Sequence, residues 1–561
     1  MKRSSQWMPA SVQSLRQYTR ADFSADLLAG LTVGSVALPL AMVFAIAAGL
    51  PPQSGLYTAI VAGFLISALG GCRMQIGGPT GAFVVIIASI LARYGVSGLA
   101  LVTLMAGCIL IVMGLTGLGA AVQYIPRPVT VGFTNGIAIL IASTQIKEFL
   151  GLRMGATPSA FLSRMAAIAH GLPTIALPAL ALSLATLAIL LLLPRWTRRI
   201  PGSIAAMVVC TTVAARLHLR VETIGSRYGG IPSGLPRIIL PTLHASQIFP
   251  LLPAAMTVAL LAAVQSLLSA MVADGLTGTR HNSNVELVAQ GIANIASPLF
   301  GGIPATGAVA RTVTNIRAGA KSPVAGIVHA LTLLVLLLVA APLARFVPLA
   351  TLAAVLMVVC YKMGEWQDIA AIWRLSWADI SVWAATFLLT VLADLTVAVE
   401  VGMVLAALLY IHRIAETTTV SMVTEEYIRE GRAHVLQDKQ VPEHVTILRI
   451  HGPFLFGTTD KLLEATADLS GFAATVIVRL RNMTAIDATG MHALEKLAER
   501  LKNSGRTLLL CGALDQPARM LEQADFLEHV GRENVLPNID AALLRAEEIH
   551  AGFCGVDRVL T

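Results

Sequence analysis

Residues 77–82 read GGPTGA, and residues 303–308 read IPATGA. Their shared Thr-Gly-Ala triplets lie 226 positions apart. The same offset separates the AGL of residues 48–50 from the DGL of residues 274–276. Two matches at one offset indicate an internal repeat that covers most of the chain.

The composition places most of the chain in lipid. Of 561 residues, 56% are hydrophobic and only 13% are charged, and the mean hydropathy is +0.74. These values exclude disordered, collagen-like and coiled-coil proteins. Six cysteines lie far apart, without the spacing of a metal site, so we expect reduced thiols, no bound metal and no cofactor.

Charge-free stretches mark the membrane segments. Residues 27–72 carry no charge over 46 positions, which is enough for two helices of about 20 residues each. Similar stretches predict about fourteen segments within residues 24–413. The predicted fold is therefore an all-α membrane domain of two seven-segment repeats. Because seven is odd, the second repeat would enter the membrane upside down.

A soluble α/β domain is predicted after the membrane domain. Residues 1–23 are read as an N-terminal tail, 414–440 as a linker, 441–550 as the soluble domain and 551–561 as a C-terminal tail. Three apolar runs predict strands at 445–450, 474–480 and 507–511. Amphipathic helices are predicted near 458–468, 488–504, 516–525 and 539–549.

The charges predict the orientation in the membrane. Residues 1–413 hold 25 basic and 11 acidic residues, but the basic residues lie singly, which argues against nucleic-acid binding. The basic N-terminal tail and the arginines near residue 198 place the N-terminus inside. An even number of segments puts the C-terminus inside too. Four arginines between residues 216 and 237 count against this orientation.

The two repeated motifs also predict a binding site. Proline suits the first turn of a helix, so Pro79 and Pro304 suggest two short helices whose N-termini face each other. Helix N-termini attract anions, and small residues allow a close approach. Interrupted apolar segments at matching places in two repeats are typical of transporter sites. The alternative is close helix packing through small residues. The residues of this predicted site are Thr80, Gly81, Thr306 and Gly307.

Arg311 follows the second motif within an otherwise apolar region. An arginine inside lipid costs at least about 2.5 kcal/mol and usually faces a cavity. We therefore expect Arg311 to attract anions into the site. The alternative is an ion pair with Glu286, Asp394 or Glu400. Glu286 also fits a capping box that begins at Ser283. No motif of an enzyme is present, so the protein is not expected to be one.

These motifs resemble the sulfate permease (SulP) family of anion transporters, which is related to prestin. The resemblance rests on residues 37–42, 48–57, 77–81, 274–280 and 310–319. The C-terminal part resembles the STAS domain of that family, which is similar to anti-sigma-factor antagonists. The resemblance covers nearly the whole chain.

The resemblance implies a mobile core of segments 1–4 and 8–11, a gate formed by the other segments, and a homodimer. It implies elevator-like transport of sulfate, bicarbonate, chloride or dicarboxylates. The residues that it places around the anion are Leu40, Phe44, Thr80, Gly81, Val309, Ala310 and Arg311.

Three positions depart from the family pattern. Many relatives have glutamine at the position of Leu40. Many have glutamate at the position of Gln265, and an amide cannot titrate, so proton coupling there is doubtful. Antagonist relatives have a phosphorylated serine where Ala488 stands. Thr489 remains a candidate regulatory site, with a helix cap as the alternative.

We therefore predict a secondary transporter of small anions in the bacterial cytoplasmic membrane. Two alternatives are an anion sensor that signals through the STAS domain and a passive anion channel. The predicted partners are a small anion, the lipid bilayer, a second copy of the chain and a cytoplasmic protein at the STAS domain.

Overall fold

A computed structural model describes residues 7–16, 18–119, 126–155, 158, 160–197, 201–232, 234, 238, 248–374, 376–393, 395–422, 441–524 and 526–557. The chain forms two compact units, one that ends at Ala406 and one that begins at Ala407. The boundaries predicted from the sequence remain predictions. Most of the predicted linker, residues 423–440, lies outside the described residues, as do Asp394 and the side chain of Glu400.

The first unit is helical. Its helices, with the last one reaching into the second unit, are α1 (Ala10–Leu15), α2 (Arg20–Ala47), α3 (Pro52–Leu69), α4 (Val84–Leu115), α5 (Arg127–Leu150), α6 (Phe161–Gly171), α7 (Leu177–Trp196), α8 (Gly202–Arg216), α9 (Ile224–Tyr228), α10 (Ile248–Thr277), α11 (Ser283–Leu299), α12 (Val309–Arg317), α13 (Val324–Ala344), α14 (Leu349–Met363), α15 (Trp366–Ile372), α16 (Trp377–Leu392) and α17 (Leu395–Thr417).

Many of these helices have the dimensions of membrane spans. By length and composition, eight helical stretches in the described part of the chain could cross a membrane, and α8 and α16 are shorter apolar helices. Helix α4 bends at Gly95, whose φ of 67° is left-handed, so one helix contains two of the predicted segments. The exact number of segments and the inverted repeat remain predictions.

Glycine lets the helices of this unit cross closely. A Cβ atom on Gly107 of α4 would lie 2.7 Å from the carbonyl oxygen of Gly291 on α11. A Cβ on Gly291 would lie 2.6 Å from the oxygen of Gly107. Such mutual contacts between small residues are typical of helices that pack in lipid, where backbones approach each other directly.

The second unit contains the predicted α/β domain. Its five-stranded sheet has the order β3 (Thr419–Met422), β4 (Val445–Phe454), β5 (Thr475–Ile486), β6 (Thr507–Cys511) and β7 (Val535–Leu536). Strand β3 pairs antiparallel with β4, and the other pairs are parallel. The helices are α18 (Asp460–Ala465), α19 (Ala488–Asn503), α20 (Asp515–Gln523), α21 (Phe526–Val530) and α22 (Ile539–Asp557).

This domain confirms the three strands predicted from the sequence. Alternating apolar residues of β4, β5 and β6 face two layers of helices. One layer includes Leu494 and Leu497 of α19, and the other includes Ile539 and Ala542 of α22. Cys511 is one of the buried residues of β6, and burial raises the pKa of its thiol to about 11.

Thr489 is exposed at the start of α19, and it does not cap that helix. The cap is Asp487, whose carboxylate accepts hydrogen bonds from the N–H of Gly490 at 2.8 Å and the N–H of Phe456 at 3.0 Å. The helix-cap interpretation of Thr489 is therefore wrong. A regulatory role for this exposed hydroxyl stays a prediction.

Loss of this cap is expected to loosen α19. Replacing a capping Asp with Ala costs about 1–2 kcal/mol, so Asp487→Ala should speed amide exchange across the helix about five- to thirtyfold. Hydrogen–deuterium exchange of the full-length protein measures this effect. Asp460→Ala is the control, because the Asp460 carboxylate makes no hydrogen bond to another described residue. Equal exchange rates in both variants would contradict the prediction.

Candidate anion-binding site

The two repeated motifs meet in the structure. Gly77–Gly78 (β1) and Thr306–Gly307 (β2) form a short antiparallel strand pair, with Gly77 opposite Gly307 and Gly78 opposite Thr306. The N–H of Ala308 also donates to the carbonyl of Ile76 at 2.9 Å. The loop before α4 and the loop before α12 are thereby joined into one element, named here the paired loops (residues 74–83 and 303–308).

One face of α12 binds the first of the paired loops. Arg311, Thr312 and Asn315 are all buried on this helix. The Arg311 guanidinium donates to the carbonyl of Pro79. The Thr312 hydroxyl accepts from the N–H of Ile76 at 3.1 Å, and the Asn315 amide donates to the carbonyl of Met74 at 3.0 Å. The second half of the chain therefore positions the first motif.

The second of the paired loops is bound by α3, α10 and α11. Thr58 of α3 accepts from the N–H of Ile303 at 2.7 Å. Asn294 of α11 accepts from the N–H of Ala305 at 2.9 Å and donates to its carbonyl at 2.8 Å. Thr306 donates to a carbonyl of α10 at 3.0 Å. Because each half binds the loop of the other, the two loops are fixed as one unit.

Arg311 lies in the first turn of α12 and is only 4% exposed. Its Nη2 donates to Pro79, whereas its Nη1 has no hydrogen-bond partner among the described residues. Among those residues it forms no salt bridge, and Glu286 has other partners. The hydroxyl of Thr80, which is 9% exposed, also lacks a partner. A cationic donor on α12 and a hydroxyl of the first paired loop therefore have no partner among the described residues, and each is a group that can donate to an oxyanion.

Gly81 follows the first strand and lies among three helices. A Cβ atom there would be 3.3 Å from the ring of Phe44 on α2, 3.4 Å from Ile141 on α5 and 3.1 Å from the sulfur of Met363 on α14. Phe44 is buried, and Leu40, one turn earlier on α2, is half-buried. The structure thus places Phe44 next to Gly81, as expected if both residues line the predicted anion site.

The other predicted residues lie around this centre. Thr306 and Gly307 are buried in β2, and Val309 and Ala310 are exposed at the start of α12. Gln265 is half-buried on α10 beside Ser266, and Gly307 approaches Ser266 closely. The first N–H groups of a helix have no partner within it, so the start of α12 offers donors next to Arg311.

Gln75 is a residue that the sequence analysis missed. It is 3% exposed, and neither atom of its side-chain amide has a partner among the described residues. A Cβ atom on Gly307 would overlap its nitrogen at 1.7 Å, so the amide lies directly over that glycine. The sequence did hold a sign of its importance, because Gln75 is a polar residue only two positions before the glycines of the first motif.

Two expectations about helix ends are wrong. No helix begins at either proline: the helical stretch that contains α4 begins at Gly81, two residues after Pro79, and α12 begins at Val309, five residues after Pro304. Strand β1 ends just before Pro79 and a short 3-10 turn at Gly81–Phe83 follows it, whereas strand β2 lies between Pro304 and α12. The motif residues extend to pair with each other, because strand pairing satisfies their backbone groups across the two halves.

The capping-box interpretation of Glu286 is also wrong. Asn282 caps α11. The Glu286 carboxylate instead accepts from the N–H groups of Gly71 and Cys72, at 2.9 Å and 3.1 Å, and from Gln290 at 2.9 Å. Glu286 therefore fixes the residues that follow α3 to α11, and it forms no ion pair with Arg311.

Gly78 sets the position of the guanidinium. Its φ of 146° favours glycine, and a Cβ atom there would lie 2.7 Å from Nη1 of Arg311. Gly78→Ala should keep the charge but displace it, and we expect anion uptake to fall about tenfold. Gly319→Ala is the control, because Gly319 also has a positive φ but no atom within 4 Å of its Cβ position. Similar uptake by the two variants in liposomes would contradict this placement.

Comparisons with known proteins agree with this architecture. Residues 23–386 match the model of the sulfate permease family, and residues 437–542 match the STAS domain. The putative sulfate transporter YvdB of Bacillus subtilis is 42% identical over 525 residues, which are 93% of this chain and 98% of that protein. The bicarbonate transporter BicA of Picosynechococcus is 30% identical over 535 residues, which are 93% of this chain and 94% of that protein.

A solved structure shows the same fold. The structure of the murine Solute Carrier 26 family member A9 anion transporter in the inward-facing state superimposes with a TM-score of 0.86 at 22% identity. The superposition covers 98% of this chain and 95% of that chain. The relatives are named as transporters, which agrees with the prediction that this protein is not an enzyme. The chain is a membrane protein with multiple spans, and it belongs to the sulfate permease family, with a STAS domain at its C-terminal end.

Proposed function

We propose that this protein is a secondary active transporter of small anions of the sulfate, bicarbonate or C4-dicarboxylate class. The observation that carries the proposal is the buried Arg311 guanidinium beside the paired loops, with one nitrogen that has no partner among the described residues. A buried cationic donor binds an oxyanion more strongly than a neutral donor does. The names of the bacterial relatives, a putative sulfate transporter and a bicarbonate transporter, support this class of substrate.

Each predicted site residue has a role in this proposal. Arg311 supplies charge, and Thr80 supplies a hydroxyl donor. The N–H groups of Val309 and Ala310 add donors at a helix N-terminus. Thr306 and Gly307 form the second strand, and the Thr306 hydroxyl ties that strand to α10. Gly81 has no side chain and so allows the anion to approach the backbone beside Phe44. Leu40 offers an apolar wall where many relatives have an amide.

Coupling to protons does not run through Gln265 in this proposal. The amide can donate and accept hydrogen bonds, but it cannot take up or release a proton over the physiological pH range. Gln265 therefore contributes to binding from α10 rather than to proton transfer. In the Gln265→Glu variant, sulfate uptake should match wild type at low pH, where the introduced carboxyl is protonated and neutral. Uptake should fall as the pH rises, because the ionised carboxylate repels the anion.

An elevator-type step fits the hydrogen bonds of the paired loops. The loops are bound by α3, α10, α11 and α12 (segments 2, 8, 9 and 10 in the predicted numbering), which belong to the proposed core. Helices α5 and α14 of the proposed gate contact Gly81 through Ile141 and Met363 side chains rather than through hydrogen bonds. A core that slides along this apolar contact would carry the anion with it. We further propose a homodimer in the cytoplasmic membrane with both termini inside, and a protein partner at the STAS domain.

Uptake by purified protein in liposomes tests the function. The panel is labelled sulfate, bicarbonate and fumarate, each at several pH values and with or without sodium. A transporter should show saturable uptake of at least one of them, whereas uptake that never saturates would indicate a channel. Deleting residues 437–561 should leave part of the flux. Absence of flux with and without these residues, together with retained anion binding, would indicate a sensor instead.

A further inference from the structure

A cavity of about 690 Å³ lies at the C-terminal end of α5, away from the paired loops. It is lined by the last residues of α5, the loop after it, residues 220–226, and the first residues of α7 and α14. Both polar and apolar side chains form its walls. We call it the α5 cavity.

Hydrogen bonds between its walls give the cavity a fixed shape. The N–H of Ala176, before α7, donates to the carbonyl of Leu150 at 3.1 Å, and the N–H of Leu349 donates to the carbonyl of Glu222 at 2.9 Å. The N–H of Arg153 donates to the hydroxyl of Thr174 at 3.0 Å. The cavity is therefore built from fixed backbone rather than from loosely placed side chains.

The charge in this cavity is predominantly positive. Lys147, Arg153 and Arg220 line it together with two acidic residues, Glu148 and Glu222. Both carboxylates form ion pairs with Arg227, which is not itself part of the lining: Glu148 by a short contact and Glu222 at 3.4 Å. Arg227 therefore offsets one of the two negative charges, and the four cations outnumber the two acids in and beside the cavity.

Two of these cations have no counter-charge in the described part of the chain. The guanidinium groups of Arg153 and Arg220 form no ion pair and no hydrogen bond there, and both residues are exposed and line the cavity. The ammonium group of Lys147 donates to the carbonyl of Gly155 at 3.1 Å. Guanidinium groups present parallel N–H donors that match the oxygens of an oxyanion.

The cavity lies close to the proposed anion path. Ile141 of α5 contacts the site at Gly81, and Lys147 follows six residues later. At 1.5 Å per residue, the cavity begins about 9 Å further along the helix axis. With the proposed orientation, this end of α5 faces the outside of the cell.

We propose that the α5 cavity is a second anion-binding site, which takes small oxyanions from outside before they reach the paired loops. The proposal rests on the proposed function, because its ligand is of the transported class. A cleft whose net charge is positive raises the local concentration of anions, and this effect is strongest at low salt. The α5 cavity therefore binds more weakly than the Arg311 site and acts mainly on the rate of anion arrival.

Binding measurements on the full-length protein in detergent test this site directly. The probe is labelled sulfate in a buffer of low ionic strength. Wild-type protein should bind two sulfate ions per chain, and Arg311→Ala should retain the weaker one. The double variant Arg153→Gln with Arg220→Gln should lose the weaker one and keep the tighter one. Arg216→Gln is the matched control, because Arg216 is an exposed arginine at the end of α8 that does not line the cavity. Equal loss in the control, or unchanged binding in the double variant, would overturn the proposal.

Uptake kinetics separate this proposal from the proposed function. In the double variant we expect the KM for sulfate to rise about three- to tenfold at low salt, with the maximal rate unchanged, and the difference to shrink at high salt. An unchanged KM at low salt would overturn the proposal even if wild-type protein transports well. If wild-type protein transports none of the anions, the proposed function fails, while the binding experiment still decides whether the cavity holds an anion.

Discussion

Arg311→Ala is expected to lower anion uptake into liposomes about ten- to hundredfold. The residue supplies a charged donor that is buried beside the paired loops and binds the carbonyl of Pro79. A hydrogen bond to a charged group contributes about 1.5–3 kcal/mol, which corresponds to this range of rates. The substitution also removes the positive charge that attracts the anion into lipid, so both the KM and the maximal rate should worsen.

Lysine should restore only part of this activity. Arg311→Lys keeps the charge, but its single ammonium group cannot bind Pro79 and an anion through the two separate nitrogens that a guanidinium offers. We expect uptake between that of wild type and Arg311→Ala. Full activity of the lysine variant would show that charge alone matters and that the contact with Pro79 does not.

Arg317 provides the matched control. It lies on the same helix, in its last turn, but is exposed. Arg317→Ala removes an equal charge from α12, yet uptake should stay within about twofold of wild type. Size-exclusion chromatography of each variant checks that it is folded. Normal uptake by well-folded Arg311→Ala would show that the anion binds elsewhere.

The meeting of the two motifs beside Arg311 could be predicted from the sequence, but their backbone geometry could not. The single offset between the two Thr-Gly-Ala triplets indicated two equivalent elements, and Arg311 lies three residues after the second triplet. The strand pair of Gly77–Gly78 with Thr306–Gly307 was not predictable, because two residues per strand carry no alternating pattern. Proline suggested helix starts, but a pairing between residues 228 and 230 positions apart decided the local conformation.

Long-range contacts also explain why the capping box predicted at Glu286 is wrong and why Gln75 was missed. Local sequence can suggest a cap for α11, but it cannot show that the N–H groups of Gly71 and Cys72 arrive beside the Glu286 carboxylate. Gln75 is similar, since its burial over Gly307 depends on the pairing of the loops. In the α/β domain, by contrast, the apolar strands β4, β5 and β6 were predictable, because each is a continuous apolar run between polar helices.

Gly55→Ala is expected to destabilise the membrane domain strongly, although it adds only one methyl group. Gly55 lies in the first turn of α3, within the motif at residues 48–57. A Cβ atom there would lie 1.9 Å from the carbonyl oxygen of Ala41 and 3.2 Å from the Cβ of Ala45, both on α2. The first of these contacts is with backbone, which cannot rotate away as a side chain can. Helices α2 and α3 must therefore separate, at a cost of about 3 kcal/mol.

This separation should affect transport as well as stability, because α2 carries Phe44, which lies beside Gly81. We expect a lower melting temperature in detergent and a loss of uptake that exceeds the loss of folded protein. Gly275→Ala is the control: Gly275 is also helical, and no atom lies within 4 Å of its Cβ position, so alanine should leave the melting temperature unchanged or slightly raise it. If Gly55→Ala has the same melting temperature as the control, the close crossing of α2 and α3 is not what holds Phe44 against Gly81 of the paired loops. If it melts early but the remaining folded protein transports normally, the crossing stabilises the fold without positioning the site.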